Sequence, residues 1–225
     1  MSSPWDVTAT TAAGGSEVAP AGSHPAVLVA LIDLGTHEET FEDKVKGTSR
    51  TVDLRKVLMA WELTAEPIAG LKGGRNHVVS RDYNVTFSQK SGLRKMIEGW
   101  RGKSFAEGEG FDLGKLLGQK CMVTVKHGTS ARGNTFAKFD GVAPVPKGLA
   151  VPAPKIKPFA WSVDDGEFPI PDWLPYLYGE SVADVIKRCK ERNGNVVGLN
   201  QCAVNEAEAA TAEREQPDDN DTIPF

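Results

Sequence analysis

Two sets of residues have types and spacing that suit chemistry, and in both the chemistry is recognition. The first closes the chain: Asp218-Asp219-Asn220-Asp221-Thr222-Ile223-Pro224-Phe225. A terminal Phe places an aromatic ring and an α-carboxylate on one residue, a combination that suits an apolar pocket rimmed by Arg or Lys. Pro224 limits the entropy lost on docking, and Asp218, Asp219 and Asp221 steer the segment toward basic surfaces. The second set interleaves cations with aromatics through the middle of the chain. Arg50, Arg55 and Lys56 fall around one extended stretch, Lys72, Arg75 and Arg81 lead into another, and Lys126, Arg132 and Lys138 belong to the last two. Phe136 shares a strand face with Lys138, and Tyr83 shares one with Arg81; Trp61 stands between Met59 and Leu63, where a place in the core competes with contact. Positive charge beside aromatic faces is what single-stranded nucleic acid needs, each stacked base contributing roughly 1–3 kcal/mol.

Catalytic patterns are missing by comparison. His24, His37, His77 and His127 are scattered, with no second ligand at helical spacing. Asp33, Glu38, Glu39, Glu42 and Asp43 suggest a metal-dependent nuclease, but a two-metal site draws its acids from several rigid elements. Four of those five are expected in one loop. Gly73-Gly74 does not follow a strand and open a helix, so it is not a phosphate-cradling loop. No enzymatic activity, metal or cofactor is expected. Cys121, Cys189 and Cys202 are odd in number and widely spaced, as free thiols of a reducing compartment would be.

The formal charge of −4 is an average over unlike parts. Residues 24–150 carry 19 Lys and Arg against 14 acids, whereas residues 151–225 carry 7 against 14. A basic body and an acidic end follow, and the net value alone does not exclude a polyanionic partner. The longest apolar run, Ala26 to Ile32, is far too short for a membrane helix. No secretory leader is visible, and a cytoplasmic location is expected.

The elements that must position these residues are read from periodicity. Strands are expected over His24–Leu34, Arg50–Thr64, Val78–Ser88, Lys120–His127 and Asn134–Val142. In the second, Arg55, Val57, Met59, Trp61 and Leu63 share a face. Leu93, Met96, Ile97 and Trp100 form the apolar stripe of a helix from Ser91 to Arg101, whose polar face and far end carry Arg94, Lys95, Arg101 and Lys103. A short helical piece is expected over Asp112–Leu117. Glu38–Ser49 and Pro67–His77 read as long hairpin loops. Five strands with a helix between the third and fourth is the layout of an OB-fold, a mainly β Greek-key barrel.

The expected organisation is a disordered arm over residues 1–23, the barrel over 24–150, a Pro-rich connector with a short helix over 151–192, and a disordered acidic tail over 193–225. The helix is opened by Ser181 with Asp184 at capping-box distance, and Val182, Val185, Ile186 and Cys189 form its stripe. So short a helix must pack on the barrel or on a partner.

The chain end resembles the C-terminal tip of bacterial single-stranded DNA-binding proteins, an Asp run followed by Ile-Pro-Phe; Asn220 interrupts the run and Thr222 precedes Ile223. The stretch from Leu54 to Pro146 resembles bacteriophage and prophage OB-fold single-stranded DNA-binding proteins. It does so through Trp61-Glu-Leu, Leu93 to Trp100-Arg-Gly, Leu116-Leu-Gly, Cys121-Met-Val-Thr-Val and Gly133-Asn-Thr-Phe. These resemblances imply a protein that coats single-stranded DNA in the host cytoplasm. They also imply a tip that recruits replication, recombination and repair proteins, with a homo-oligomer left open. The alternatives are an OB-fold adaptor that binds protein through the same tail, or an accessory factor for strand annealing or recombinase loading.

Overall fold

The computed structural model describes residues 17–43, 47–69, 74–130, 133–167, 169, 171–175, 177 and 179–193. Its main element is a sheet built from β1 (Gly22–Asp43), β2 (Thr48–Pro67), β3 (Asn76–Asn84), β4 (Lys120–Thr129), β5 (Thr135–Ala143) and β6 (Phe159–Trp161). The hydrogen-bonded order is β3-β2-β1-β4-β5, with β6 beside β1. All pairings are antiparallel except that of β6 with β1. Between β3 and β4 run α1 (Gly92–Arg101) and a 3-10 turn at Leu113–Leu116; α2 (Val182–Lys187) follows β6. Among the described residues no helix is long and apolar enough to cross a membrane.

β1 is apolar on both faces because it is covered on both. Ala26 and Leu28 point inward, with Val57, Met59, Trp61 and Leu63 of β2, onto a core closed by α1. A bulge between Leu28 and Ala30 then reverses the alternation. Val27 and Val29 meet Val151 and Ile156 on the opposite face, and Ala30, Ile32 and Leu34 meet Trp161, Val182, Val185 and Ile186 there. The apolar run from Ala26 to Ile32, with Leu34 beyond Asp33, is therefore one strand shared by two cores, each buried Leu or Ile contributing about 1.5–3 kcal/mol.

α1 begins and ends for local reasons. The Ser91 hydroxyl accepts from the Arg94 amide at 3.3 Å and donates to the Thr86 carbonyl at 2.7 Å, and Gly102 closes the helix at φ 67. Leu93, Met96, Ile97 and Trp100 are buried, and the Trp100 indole donates to the Lys120 carbonyl at 3.1 Å, tying the helix to β4.

The C-terminal part of the described chain forms an outer layer on β1 and β2. β6 pairs with Ala30–Ile32, beyond the point where β4 leaves β1. The wholly buried Glu62 carboxylate clamps the Pro-rich stretch to β2, accepting from the Lys155 and Ile156 amides at 2.9 Å each and from Asn76 Nδ2 at 2.6 Å. At the other end Glu191 accepts from the Thr36 amide (2.8 Å) and hydroxyl (2.6 Å), and Lys190 reaches Asp53 at 2.5 Å. Burial opposes the Glu191 charge, but the Thr36 hydrogen bonds outweigh it and hold the carboxyl below its usual value. Gly35, at φ +77, has no room for a side chain: a Cβ there would lie 2.6 Å from that of Cys189.

Several expectations are corrected. The loop expected over Glu38–Ser49 is mostly ribbon, because Glu38–Asp43 pairs with Thr48–Asp53. Glu38, Glu39 and Glu42 thus lie on a strand; Glu39 turns to Lys56, and Glu38 lies 3.8 Å from Lys190. The third strand ends at Asn84, although the Val85 amide still donates to the Arg55 carbonyl at 2.7 Å; Phe87 leaves the ladder and packs edge-on against Phe105 with ring centres 4.9 Å apart. Cys121 and Cys189 are buried and unpaired, and Cys202 lies outside the described residues.

Candidate nucleic-acid interface

No ladder joins β3 to β5 among the described residues, and α1 sits against both, so the sheet is left with a seam between two strand edges. A groove of about 1220 Å³ follows this seam. Arg81, Tyr83 and Asn84 of β3 form one side; Phe136, Lys138 and Phe139 of β5 form the other. Lys90, Gly92 and Lys95 close one end at the first turn of α1, Ser130 comes from the β4–β5 connection, and Glu39 and Lys56 come from the base of the β1–β2 ribbon. Pro175, Leu177 and Gly179 of the outer layer complete the wall.

Charge in the groove is strongly uneven. Lys56 is neutralised by Glu39 and lies 3.7 Å from Asp82. Arg81, Lys90, Lys95 and Lys138 are exposed, and among the described residues none of the four has an ion pair. Arg81 lies over the Tyr83 ring at 5.5 Å, and burial pushes the Tyr83 hydroxyl well above its ordinary value, so it stays neutral. Phe136 is 45% exposed, an unusual state for a large apolar side chain, and it stands above this charge. Four free cations beside one open aromatic face can hold backbone phosphates while a base stacks.

The structure brings together five of the residues singled out from sequence: Lys56, Arg81, Tyr83, Phe136 and Lys138. It sends others elsewhere. Arg55 is bound to Asp33 through Nη2 at 2.5 Å, which holds its guanidinium charged, and it lines a separate cavity of about 320 Å³. Arg75 faces Asp172 at 3.3 Å, and Lys126 faces Asp140 at 3.0 Å. Arg50 lies on the ribbon opposite Phe41. Trp61 is corrected as a contact: it is fully buried, its ring stacked on Phe139 at 4.6 Å, so no base reaches its face. Arg94 is buried beneath Phe87 and Phe105, and Arg101 covers Phe105 at 4.0 Å. Lys72, Arg132, Asp218, Asp219, Asp221, Ile223, Pro224 and Phe225 lie outside the described residues.

Lys90 had no signal of its own in the sequence, sitting in a turn between elements. Its place in the groove depends on Ser91 capping α1 directly after it. Among the described residues no three His, Cys, Asp or Glu side chains converge as metal ligands would. No family model, curated protein or solved structure matches the chain.

Proposed function

We propose that the protein binds single-stranded DNA without sequence preference, in the seam groove of an OB-fold barrel. Its residues 218–225 recruit replication, recombination and repair proteins in the setting of bacteriophage replication or recombination. The observation that carries the reading is the convergence in one groove of the open ring of Phe136 and four exposed cations that have no ion pair among the described residues. The strand order supports it as well: β3-β2-β1-β4-β5 with a helix between β3 and β4 is the path of an OB barrel opened at the β3/β5 edge. OB-folds take oligonucleotides on the β2–β3 side, between the β1–β2 and β4–β5 connections; here Glu39 and Lys56 of the β1–β2 ribbon and Ser130 of the β4–β5 connection line the groove.

Titrating the five-tryptophan fluorescence with poly-dT at two salt concentrations tests the reading. Each neutralised phosphate contributes about −0.7 to the log–log salt slope on a single strand, so four cations give a slope of about −3. Absence of binding at low salt would remove the DNA function. For the recruiting end, deletion of Ile223–Phe225 abolishes pull-down of partner proteins and leaves DNA affinity intact or improved.

A further inference from the structure

The Phe136 ring rests on a residue that does not line the groove. Phe136 pairs directly with Gly128 across the β4–β5 ladder. A Cβ at Gly128 would stand 2.7 Å from Phe136 Cζ, with Cε1 and Cε2 at 3.1 and 3.2 Å, so the tip of the ring rests where a side chain would be. Gly128 is not there for its backbone, because its φ is not positive. A strand interior is otherwise a costly place for glycine, which has no side chain to pack and loses more conformational freedom than any other residue.

One pair further along the same face, Lys126 opposes Lys138, a like-charge pairing that weakens a sheet. Lys126 is relieved by Asp140 at 3.0 Å, which leaves Lys138 free beside Phe136. Two unfavourable choices for a strand pair therefore sit side by side, and both serve the exposed ring and its cation. Local rules broken together on one exposed face point to a functional surface.

We propose that Gly128 is the positioning residue of the nucleic-acid platform. Its missing side chain lets the Phe136 ring lie across β4, and the strand backbone beneath then holds the ring in one orientation, face outward, before any base arrives. The ring keeps its exposure without keeping its freedom, so stacking does not first have to freeze it. This inference rests on the single-stranded DNA reading for its ligand but not for its geometry, and the two are tested separately.

In the free full-length protein, the ring current of Phe136 shifts the Gly128 Hα resonances upfield, and Phe136→Leu removes that shift. An unshifted Gly128 overturns the positioning whatever the protein binds. With a dT oligonucleotide as probe, Phe136→Ala weakens binding about tenfold, the loss of one stacked base. Gly128→Ala and Gly128→Ser each weaken it several-fold, and neither adds to the loss in a Phe136→Ala background. Equal affinity of Gly128→Ala and the parent, or full additivity of the two substitutions, overturns the proposal. Failure of the parent to bind dT overturns the DNA reading and the stacking role together, while the ring-current result still reports the geometry.

Discussion

The seam groove and the rest of the sheet both contain lysines and arginines, but the groove leaves most of its cations unpaired among the described residues. Away from the groove Arg55 is spent on Asp33, Arg75 on Asp172 and Lys190 on Asp53. In the groove Arg81, Lys90, Lys95 and Lys138 have no acidic partner among the described residues. A count of cations would rank the two regions together. The difference lies in what each cation faces, and only an unpaired one can exchange its counterions for phosphates.

The comparison breaks most visibly at Glu62. Glu62→Ala leaves the Lys155 and Ile156 amides without their acceptor and Asn76 with only a long bond to the Thr64 carbonyl, each unsatisfied buried donor costing about 1–3 kcal/mol. Urea denaturation should show a loss of about 3 kcal/mol or more, and limited proteolysis should open the chain near residues 151–158, with affinity for dT per folded molecule unchanged. A loss of affinity instead would mean that the outer layer shapes the groove. Next in size is the joint replacement of Arg81, Lys90, Lys95 and Lys138 by Ala. Affinity at low salt should fall by roughly two orders of magnitude and the salt slope should flatten toward zero, as counterion release requires. Arg55→Ala with Arg75→Ala should lower the melting temperature and keep the slope, and a flattened slope there would erase the distinction between the regions.

The smallest effect concerns pH. Burial lowers the His77 pKa from its ordinary 6.5, so the unfolded chain takes up the proton more readily than the fold does. Stability from this group is complete above pH 6.5 and is lost as pH falls through the lower folded value. Melting temperature followed from pH 7.5 to pH 5 should decline, and His77→Gln should flatten part of the decline.

The inner face of β2 and the stripe of α1 could be read from spacing, because Val57, Met59, Trp61 and Leu63 and Leu93, Met96, Ile97 and Trp100 each meet a single core. The far half of the β1–β2 ribbon could not. Glu38, Thr40 and Glu42 alternate with residues only half covered, and the ribbon's buried apolar residues, Val52 and Leu54, lie on its second strand. β6 escaped for a different reason: Phe159-Ala160-Trp161 pairs in parallel with a strand about 130 residues earlier, and such a pairing leaves no turn signal nearby. Of the groove residues, the alternation of Phe136 with Lys138 and of Arg81 with Tyr83 was legible strand by strand. That these strands face one another across a seam is a property of the topology. So is the difference between a free lysine and a paired one, since the partner of Lys56 comes from a strand 17 residues away.

The fastening at the end of the described chain has a mechanical consequence. Lys190 and Glu191 are fixed to Asp53 and Thr36, at the root of the ribbon and beside the strand that carries Glu39 into the groove. Tension applied to residues beyond Asn193 therefore reaches β1 directly and bypasses the short α2. A protein that grips the chain end and moves would load the ribbon root first, making the grip of the groove on its ligand sensitive to force applied far along the sequence.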